Sequence, residues 1–217
     1  MEDIVSNFDL VLSGFWITLQ LAFWSALGSL VIGALLVAMR VGPVRVLALF
    51  ATSYVNIVRN TPLLVIFILV FAGFPALDLL VGTPFLVKGI VTMTIYTSPF
   101  VCEALRAGVN SVQLGQAEAA RAIGMTFGQT MTQVVLPQAV RASVPPLTSV
   151  IIAMTKNTSI AAVFGLAEAT ARMRGFTNNN ADDRILIFLV FALGYIVIVE
   201  AISGASWLLE RRWRTVR

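Results

Sequence analysis

The chain has 217 residues, of which 58% are hydrophobic and only 12% are charged, and its mean hydropathy is +0.89. A soluble domain carries about twice that share of charged residues, so the composition excludes an ordinary soluble enzyme and predicts a membrane protein. The formal net charge is +4. The basic residues are spread along the chain, with several of them at its end, and this distribution does not indicate a nucleic-acid-binding surface.

Five segments are long and apolar enough to cross the hydrocarbon core of a bilayer, which takes about 20 residues of helix. They are approximately 10–39, 47–74, 86–108, 144–166 and 185–209. The sequence therefore predicts an all-α polytopic protein with five transmembrane helices, forming a single domain over 1–217. The polar connection 169–184, with its run of asparagines, predicts a loop between the last two spans.

The second segment is interrupted by Arg59-Asn60-Thr61-Pro62. Pro62 has a fixed φ and no backbone donor, so the helix must break or kink nearby. Broken helices occur inside membranes where the backbone lines a cavity or is buried in protein. Two interpretations stay open: Asn60 and Thr61 belong to a substrate pathway, or Pro62 merely begins the second span.

A polar island, 118–137, lies between the third and fourth segments and reads EAARAIGMTFGQTMTQVVLP. A short alanine-rich helix ended by Gly124 and bounded by Pro137 would present a slim surface that can enter a groove on a partner. We expect Glu118 in the first turns of this helix, where the helix dipole favours a negative charge. Arg121 follows three residues later on the same face.

The island resembles the EAA loop of ABC importer permeases, whose pattern is EAA, three residues, G, nine residues, I, one residue and LP. The matching positions are Glu118, Ala119, Ala120, Gly124, Leu136 and Pro137, and Val134 stands in place of the isoleucine. The flanking sequences are similar to those of the amino-acid uptake branch of that family. The run RNTPLL also resembles the R-G-T-P-L-L signature of these permeases, with Asn60 in place of glycine.

The resemblance covers about 14–210 and implies a type I ABC importer permease subunit that works by alternating access. Such a subunit pairs with a second permease, identical or related, and receives its solute from an extracytoplasmic binding protein. Two cytoplasmic ATPase subunits dock on the EAA loop, here about 109–141, so Arg121 joins the matching positions as a coupling residue. Glu103 and Arg106 resemble an E-x-x-R pair just before this loop, and we expect them to brace it against the bundle.

The catalytic chemistry belongs to the partners in this interpretation. The chain contains no G-x-x-x-x-G-K-[ST] motif, so it cannot itself be the ATPase. ATP and Mg are expected on the partner ATPase, with no cofactor in this chain. No metal is expected either, because the sequence has no histidine and only one cysteine, Cys102, whose simplest role is packing.

Two charged residues fall deep inside predicted spans, and such charges are functional candidates because they are costly in lipid. In one interpretation, four consecutive polar residues of the fourth span line the substrate pathway: Lys156, Asn157, Thr158 and Ser159. In the other, Lys156 forms an ion pair with Glu200 of the fifth span. We expect Lys156 to be held inside the bundle by Glu200, with Thr158 or Ser159 nearer the pathway.

The distribution of charge predicts the orientation in a bacterial cytoplasmic membrane. The C-terminus carries four arginines, which are Arg211, Arg212, Arg214 and Arg217. The N-terminus carries only acids, which are Glu2, Asp3 and Asp9. The positive-inside rule places the C-terminus in the cytoplasm, and an odd number of spans then places the N-terminus outside.

Two further functions stay open besides that of a permease for a polar amino acid such as glutamate, glutamine or a basic amino acid. One is a scaffold subunit that pairs with a solute-binding permease but binds no solute itself. The other is a passive channel subunit, which would need no ATPase and therefore no EAA loop.

Overall fold

The fold is entirely helical in the part of the chain that the structure, a computed structural model, describes, which is residues 2–214. The first half comprises α1 (Glu2–Ser6), α2 (Phe8–Val41), α3 (Arg45–Arg59), α4 (Leu63–Ile68), a π-helical turn (Leu69–Gly73), α5 (Phe74–Ala76) and α6 (Phe85–Asn110). The second half comprises α7 (Leu114–Ala122), α8 (Phe127–Gln129), a π-helical turn (Thr130–Val135), α9 (Leu136–Asn157), a 3₁₀ segment (Thr158–Phe164), α10 (Ala169–Asn179) and α11 (Arg184–Arg214). Arg217 lies outside the described residues.

Helices α2 and α6 pack closely and run in the same direction. Gly28 lies against Thr94 near the middle of the pair, and Gly33 lies against Val101 further on. Because two parallel helices begin on the same side of a membrane, the chain between them must cross back. The elements α3 to α5 therefore form one crossing, although their axes are bent by 103° at the break between Arg59 and Leu63.

Helices α9 and α11 complete the bundle with alternating directions. Gly108, near the end of α6, faces Ser143 in the first half of α9, so α6 and α9 are antiparallel. The hydroxyl groups of Thr148 and Ser206 lie 2.6 Å apart and join α9 to α11. Together with the broken span, these helices give five crossings and place the two ends of the chain on opposite sides, which confirms the predicted number of spans.

The break in the second span occurs at the predicted residues. Helix α3 ends at Arg59, and the Thr61 hydroxyl donates to the Ile57 carbonyl at 2.8 Å, which satisfies one acceptor at the helix end. Pro62 then precedes the first residue of α4 with an extended backbone. The proline thus interrupts a span rather than beginning one.

Two further prolines explain the π-helical turns. A proline cannot donate to the carbonyl four residues earlier, and its ring pushes that carbonyl away. For Pro75 that carbonyl belongs to Phe71, inside the turn Leu69–Gly73, and for Pro137 it belongs to Gln133, inside the turn Thr130–Val135. The wider π turn accommodates the missing hydrogen bond without ending the helix.

Two expectations about local structure are wrong. The connection 169–184 was expected to be a loop, but most of it forms α10, because the Glu168 carboxylate caps its first turn and Ala169 and Phe176 are buried. The fourth span was expected to begin near residue 144, but one 38-residue helical element runs from Phe127 to Phe164. The first part of this element, which comprises α8 and the π turn, belongs to the polar island. The island and the fourth span therefore form one continuous helical rod.

We predict that Gly108→Ala destabilises the bundle, because an added Cβ atom would overlap the Ser143 hydroxyl and the Ala139 carbonyl oxygen. Overpacking of this kind costs about 1–3 kcal/mol. The measurement is thermal unfolding of the purified protein. Gly204→Ala is the matched control, since Gly204 also lies in a long helix but has no atom within 4 Å of the place that a new Cβ atom would take. Equal melting temperatures for the two variants would contradict the close packing of α6 on α9.

Candidate coupling loop and solute cavity

Helix α7 carries the EAA residues and ends in a Schellman motif. Gly124 has a φ of +90°, the left-handed region that favours glycine. The Gly124 amide donates to the Arg121 carbonyl at 3.0 Å, and the Met125 amide donates to the Ala120 carbonyl at 3.1 Å. These two bonds satisfy carbonyls that the helix end would otherwise leave without partners, and they stop α7 after nine residues.

The position of Glu118 differs from the expectation. Glu118 is the fifth residue of α7, and the first turn of the helix contains no acidic residue. The helix begins earlier than expected, at Leu114, because residues 114–117 join the alanine-rich run. The Glu118 side chain is therefore presented from the middle of the helix, where the helix dipole has little effect.

The outer surface of α7 is slim and partly apolar. The side chains of Leu114 and Ile123, at its two ends, are 81% and 82% exposed. Glu118, Ala119 and Arg121 are also exposed, whereas Ala120 is buried against the protein. Large exposed apolar side chains beside small ones are typical of a surface that a partner covers.

The candidate coupling loop is joined to the fourth span by several hydrogen bonds. Thr126 and Gln129 form a capping box that starts the next helix, with the Thr126 amide donating to Gln129 Oε1 at 2.9 Å. From α9, Gln138 Nε2 donates to Gln116 Oε1 of α7 at 2.5 Å and to the Val134 carbonyl at 2.9 Å. Leu136 and Pro137 are exposed at the start of α9, next to these contacts.

A cluster of charged residues ties three helices together near the same end of the bundle. Glu103 of α6 accepts hydrogen bonds from Arg40 at 2.6 Å and from Arg106 at 2.7 and 2.9 Å. Arg59, at the break of the second span, lies 3.6 Å from Glu103 and over the Phe100 ring. Glu103 and Arg106 form a pair as the sequence suggested, and Arg40 and Arg59 extend it to α2 and α3.

A cavity of about 250 Å³ opens between the middle of α6 and the second half of α9. It is lined by Tyr96, Thr97, Phe100, Ser149, Val150, Ala153, Met154 and Asn157. Four of these residues, Tyr96, Thr97, Ser149 and Asn157, supply hydroxyl or amide groups, and Tyr96 and Phe100 supply aromatic rings. The lining therefore combines apolar surface with a few polar groups, as small-molecule sites usually do.

The structure divides the predicted pathway residues. Asn157 lines the cavity, whereas Thr158 is completely buried in the protein interior. The Ser159 hydroxyl donates to the Lys156 carbonyl at 2.8 Å, so it is occupied by the backbone. Asn60 and Thr61 lie at the break of the second span and are not among the residues that line this cavity.

The expected ion pair between Lys156 and Glu200 is wrong. Both side chains are exposed, and no ion pair joins them within residues 2–214. Their positions along the two spans predicted that Lys156 and Glu200 lie at a similar depth in the membrane. These positions did not predict the direction in which each side chain points. Thr155 and Thr158 occupy the buried face of their helix, which turns Lys156 outward, and Glu200 lies away from the buried Phe191 and Ser206 of α11.

Among the residues whose burial the structure describes, the buried acidic side chain is that of Glu168, which the sequence analysis did not single out. Its side chain is 0% exposed and caps α10, with Oε1 accepting from the Ala171 amide at 2.9 Å. Glutamate is an uncommon N-cap residue, so the usual start signals of a helix did not reveal it. The described residues contain no group of three or more histidine, cysteine, aspartate or glutamate side chains placed to hold a metal ion.

Comparisons with known proteins agree with this architecture. Residues 29–215 match the family described as the binding-protein-dependent transport system inner membrane component. The glutamate transport system permease protein GluC of Corynebacterium glutamicum is 40% identical, over 93% of each chain. The probable glutamine ABC transporter permease protein GlnM of Bacillus subtilis is 34% identical, over 96% of this chain and 95% of that protein.

A solved structure is also similar over most of its length. A chain of an amino acid ABC transporter crystallised with histidines superposes with a TM-score of 0.88, at 30% identity and 97% coverage of both chains. The chain belongs to the family of inner-membrane components of binding-protein-dependent transport systems. It is accordingly a multi-pass membrane transport component and not an enzyme.

Proposed function

We propose that this chain is the permease subunit of an ATP-driven importer for a polar amino acid, with glutamate the favoured solute. The observation that carries the proposal is the 40% identity, over 93% of each chain, to a glutamate transport permease. The cavity between α6 and α9 supports a small solute, because about 250 Å³ is sufficient for a single amino acid. Its hydroxyl, amide and aromatic groups suit a polar, zwitterionic ligand.

The partners in this proposal are a second permease subunit, identical or related, an extracytoplasmic binding protein and two cytoplasmic ATPase subunits. The ATPases hold ATP and Mg, and α7 docks on one of them. The exposed Leu114 and Ile123 side chains would anchor this contact, and Glu118 and Arg121 would orient it. The description of the family as binding-protein-dependent supports the extracytoplasmic partner.

The helical rod from Phe127 to Asn157 supports a mechanism of alternating access. It spans 30 residue steps, or roughly 45 Å, between the coupling loop and the cavity. Gln138 and the π turn hold α7 at one end of this rod, and Asn157 lines the cavity near the other. A displacement of α7 by the ATPases would therefore move the wall of the cavity without a separate relay.

We predict that Gly124→Val uncouples ATP hydrolysis from uptake, because a β-branched residue is strained at φ +90° and would disrupt the end of α7. Solute-stimulated hydrolysis and uptake should fall at least tenfold, while insertion in the membrane is retained. Gly128→Val is the control, since Gly128 lies outside α7, in α8, without positive φ and without neighbours within 4 Å. Normal uptake by an Ala120→Trp, Gly124→Trp double variant would contradict docking through α7.

We predict that the N-terminus is extracytoplasmic and the C-terminus cytoplasmic. Five crossings place the ends on opposite sides, and Arg211 and Arg212 favour the cytoplasm. The measurement is a phosphatase fusion, which is active only outside, placed at Asn179 and, separately, at the C-terminus. Activity at the C-terminus, or none at Asn179, would reverse the orientation and remove α7 from the reach of the ATPases.

We predict that Lys156 contacts the solute, since its ammonium has no acidic partner within residues 2–214. It stands three residues after Ala153 and one before Asn157, both of which line the cavity, so its flexible side chain can reach the rim. Lys156→Gln should lower glutamate uptake about tenfold and glutamine uptake much less, because only glutamate has a second carboxylate. Lys156→Arg keeps the charge and should retain most glutamate uptake. An equal loss for both solutes in Lys156→Gln would contradict a contact with the side-chain carboxylate.

A further inference from the structure

A second cavity, of about 870 Å³, lies between α7, α9 and the end of α11, at the end of the bundle that carries the candidate coupling loop. It shares no lining residue with the cavity between α6 and α9, so the two are separate. Its size is within the range of small-molecule sites. The larger polar and aromatic side chains that line it are Gln113, Gln116, Gln138, Arg141, Glu210 and Trp213.

Arg141 and Glu210 line this cavity from two facing helices at nearly the same level. The hydroxyl groups of Thr148 in α9 and Ser206 in α11 lie 2.6 Å apart, and the two helices are antiparallel. Arg141 comes seven residues before Thr148, and Glu210 comes four residues after Ser206, so both lie toward the same end of the bundle. At about 1.5 Å per residue, their levels along the bundle differ by roughly 5 Å.

These two charged groups are not paired with each other. Within residues 2–214 no ion pair joins Arg141 to Glu210, and the Arg141 guanidinium forms no hydrogen bond with these residues. Glu210 Oε1 accepts a hydrogen bond from the Ser206 hydroxyl at 3.3 Å, and its second oxygen has no partner in the described part of the chain. A cation and a carboxylate that line one cavity without meeting can bind a ligand that carries both charges.

Three glutamine side chains add neutral donors and acceptors to the same cavity. Gln138 Nε2 donates to Gln116 Oε1 at 2.5 Å, which leaves the amide nitrogen of Gln116 as a donor. Gln113 lies next to the start of α7, and the Trp213 indole adds an apolar ring with one donor. The lining therefore suits an amino acid, which has a carboxylate, an ammonium group and a small body.

We propose that this cavity is a second amino-acid site, open to the cytoplasm, through which accumulated product slows its own import. Arg141 binds the carboxylate of the ligand, and Glu210 binds its ammonium group. The proposal rests on the proposed function, which supplies the orientation in the membrane and the nature of the product.

The position of the cavity explains how a ligand in it would slow transport. Gln116 belongs to α7 and Glu210 to α11, and no hydrogen bond or ion pair joins these two helices within residues 2–214. The hydrogen bond from Gln138 holds α7 to α9 instead. A bound amino acid would therefore add a connection between α7 and α11, and this connection would oppose the displacement of α7 by the ATPases.

The test uses the complete importer, reconstituted in vesicles with its cytoplasmic face outward. The binding protein and glutamate are enclosed in the vesicles, ATP is outside, and external glutamate is then raised stepwise. External glutamate should progressively lower the ATP hydrolysis that the enclosed glutamate stimulates. Glutarate, which has both carboxylates but no ammonium group, should be about tenfold less effective, because it would place an anion against Glu210.

Variants of the two charged residues locate the inhibition. Arg141→Gln should raise the half-inhibiting concentration of external glutamate about tenfold, because a charge-assisted contact is lost. Hydrolysis without external glutamate should stay at the wild-type level. Arg141→Lys keeps the charge and should retain most of the inhibition. Glu210→Gln should remove the preference for glutamate over glutarate.

Arg212→Gln is the matched control. Arg212 is an exposed arginine of α11, two residues after Glu210, and does not line the cavity. Its loss removes the same charge from the same end of the bundle, so inhibition should remain as in the wild type. If Arg141→Gln does not assemble, the preference between glutamate and glutarate in Glu210→Gln decides the question.

The outcomes separate this inference from the proposed function. Inhibition that is unchanged in both Arg141→Gln and Glu210→Gln would arise in the cavity between α6 and α9, and it would overturn the second site. Equal inhibition by glutamate and glutarate in the wild type, or none by glutamate while transport proceeds, would overturn it as well. Failure of the wild-type importer to transport any polar amino acid would overturn the proposed function itself, and the second site with it.

Discussion

The close parallel packing of α2 on α6 is the constraint on which the rest of the structure depends. Small residues allow it: Gly28 and Gly33 lie directly against α6, and Ser29 is fully buried. Two adjacent helices that run the same way force the chain between them to return across the membrane. The returning segment, α3 to α5, is not a single straight helix. The break in it places Arg59 in the charged cluster around Glu103.

Irregular backbone occurs at the sites on which the proposed transport cycle depends. The break at Pro62 adjoins the Glu103 cluster, the π turn before Pro137 adjoins the coupling loop, and the 3₁₀ segment begins beside Asn157 of the cavity. In hydrocarbon such irregularity is tolerated only where other protein groups satisfy the backbone. The regular parts of α2, α6 and α11 provide that support, and the irregular parts provide the sites.

The sequence predicted the elements that depend on composition and local chemistry. Hydropathy identified five spans, Pro62 identified the break, and the spacing from Glu118 to Pro137 singled out the segment that we propose as the coupling loop. The sequence did not predict which neighbour each side chain contacts. Position along a helix gives the depth of a residue in the membrane, but it does not give the helix that its side chain faces. Lys156 was therefore paired with the wrong partner, and Glu168 was not singled out because its burial depends on Thr18 and Tyr195, which are distant in sequence.

The exposed carboxylate of Glu200 has a consequence for the life of the subunit. It lies near the middle of α11 on a face that also exposes Val197, with no ionic partner in the described part of the chain. A charge in that place is costly in contact with lipid tails and is tolerated beside protein or water. In the proposed assembly a second permease subunit would cover this face, so a copy without that partner would expose the Glu200 carboxylate to lipid and would be removed faster by proteolysis.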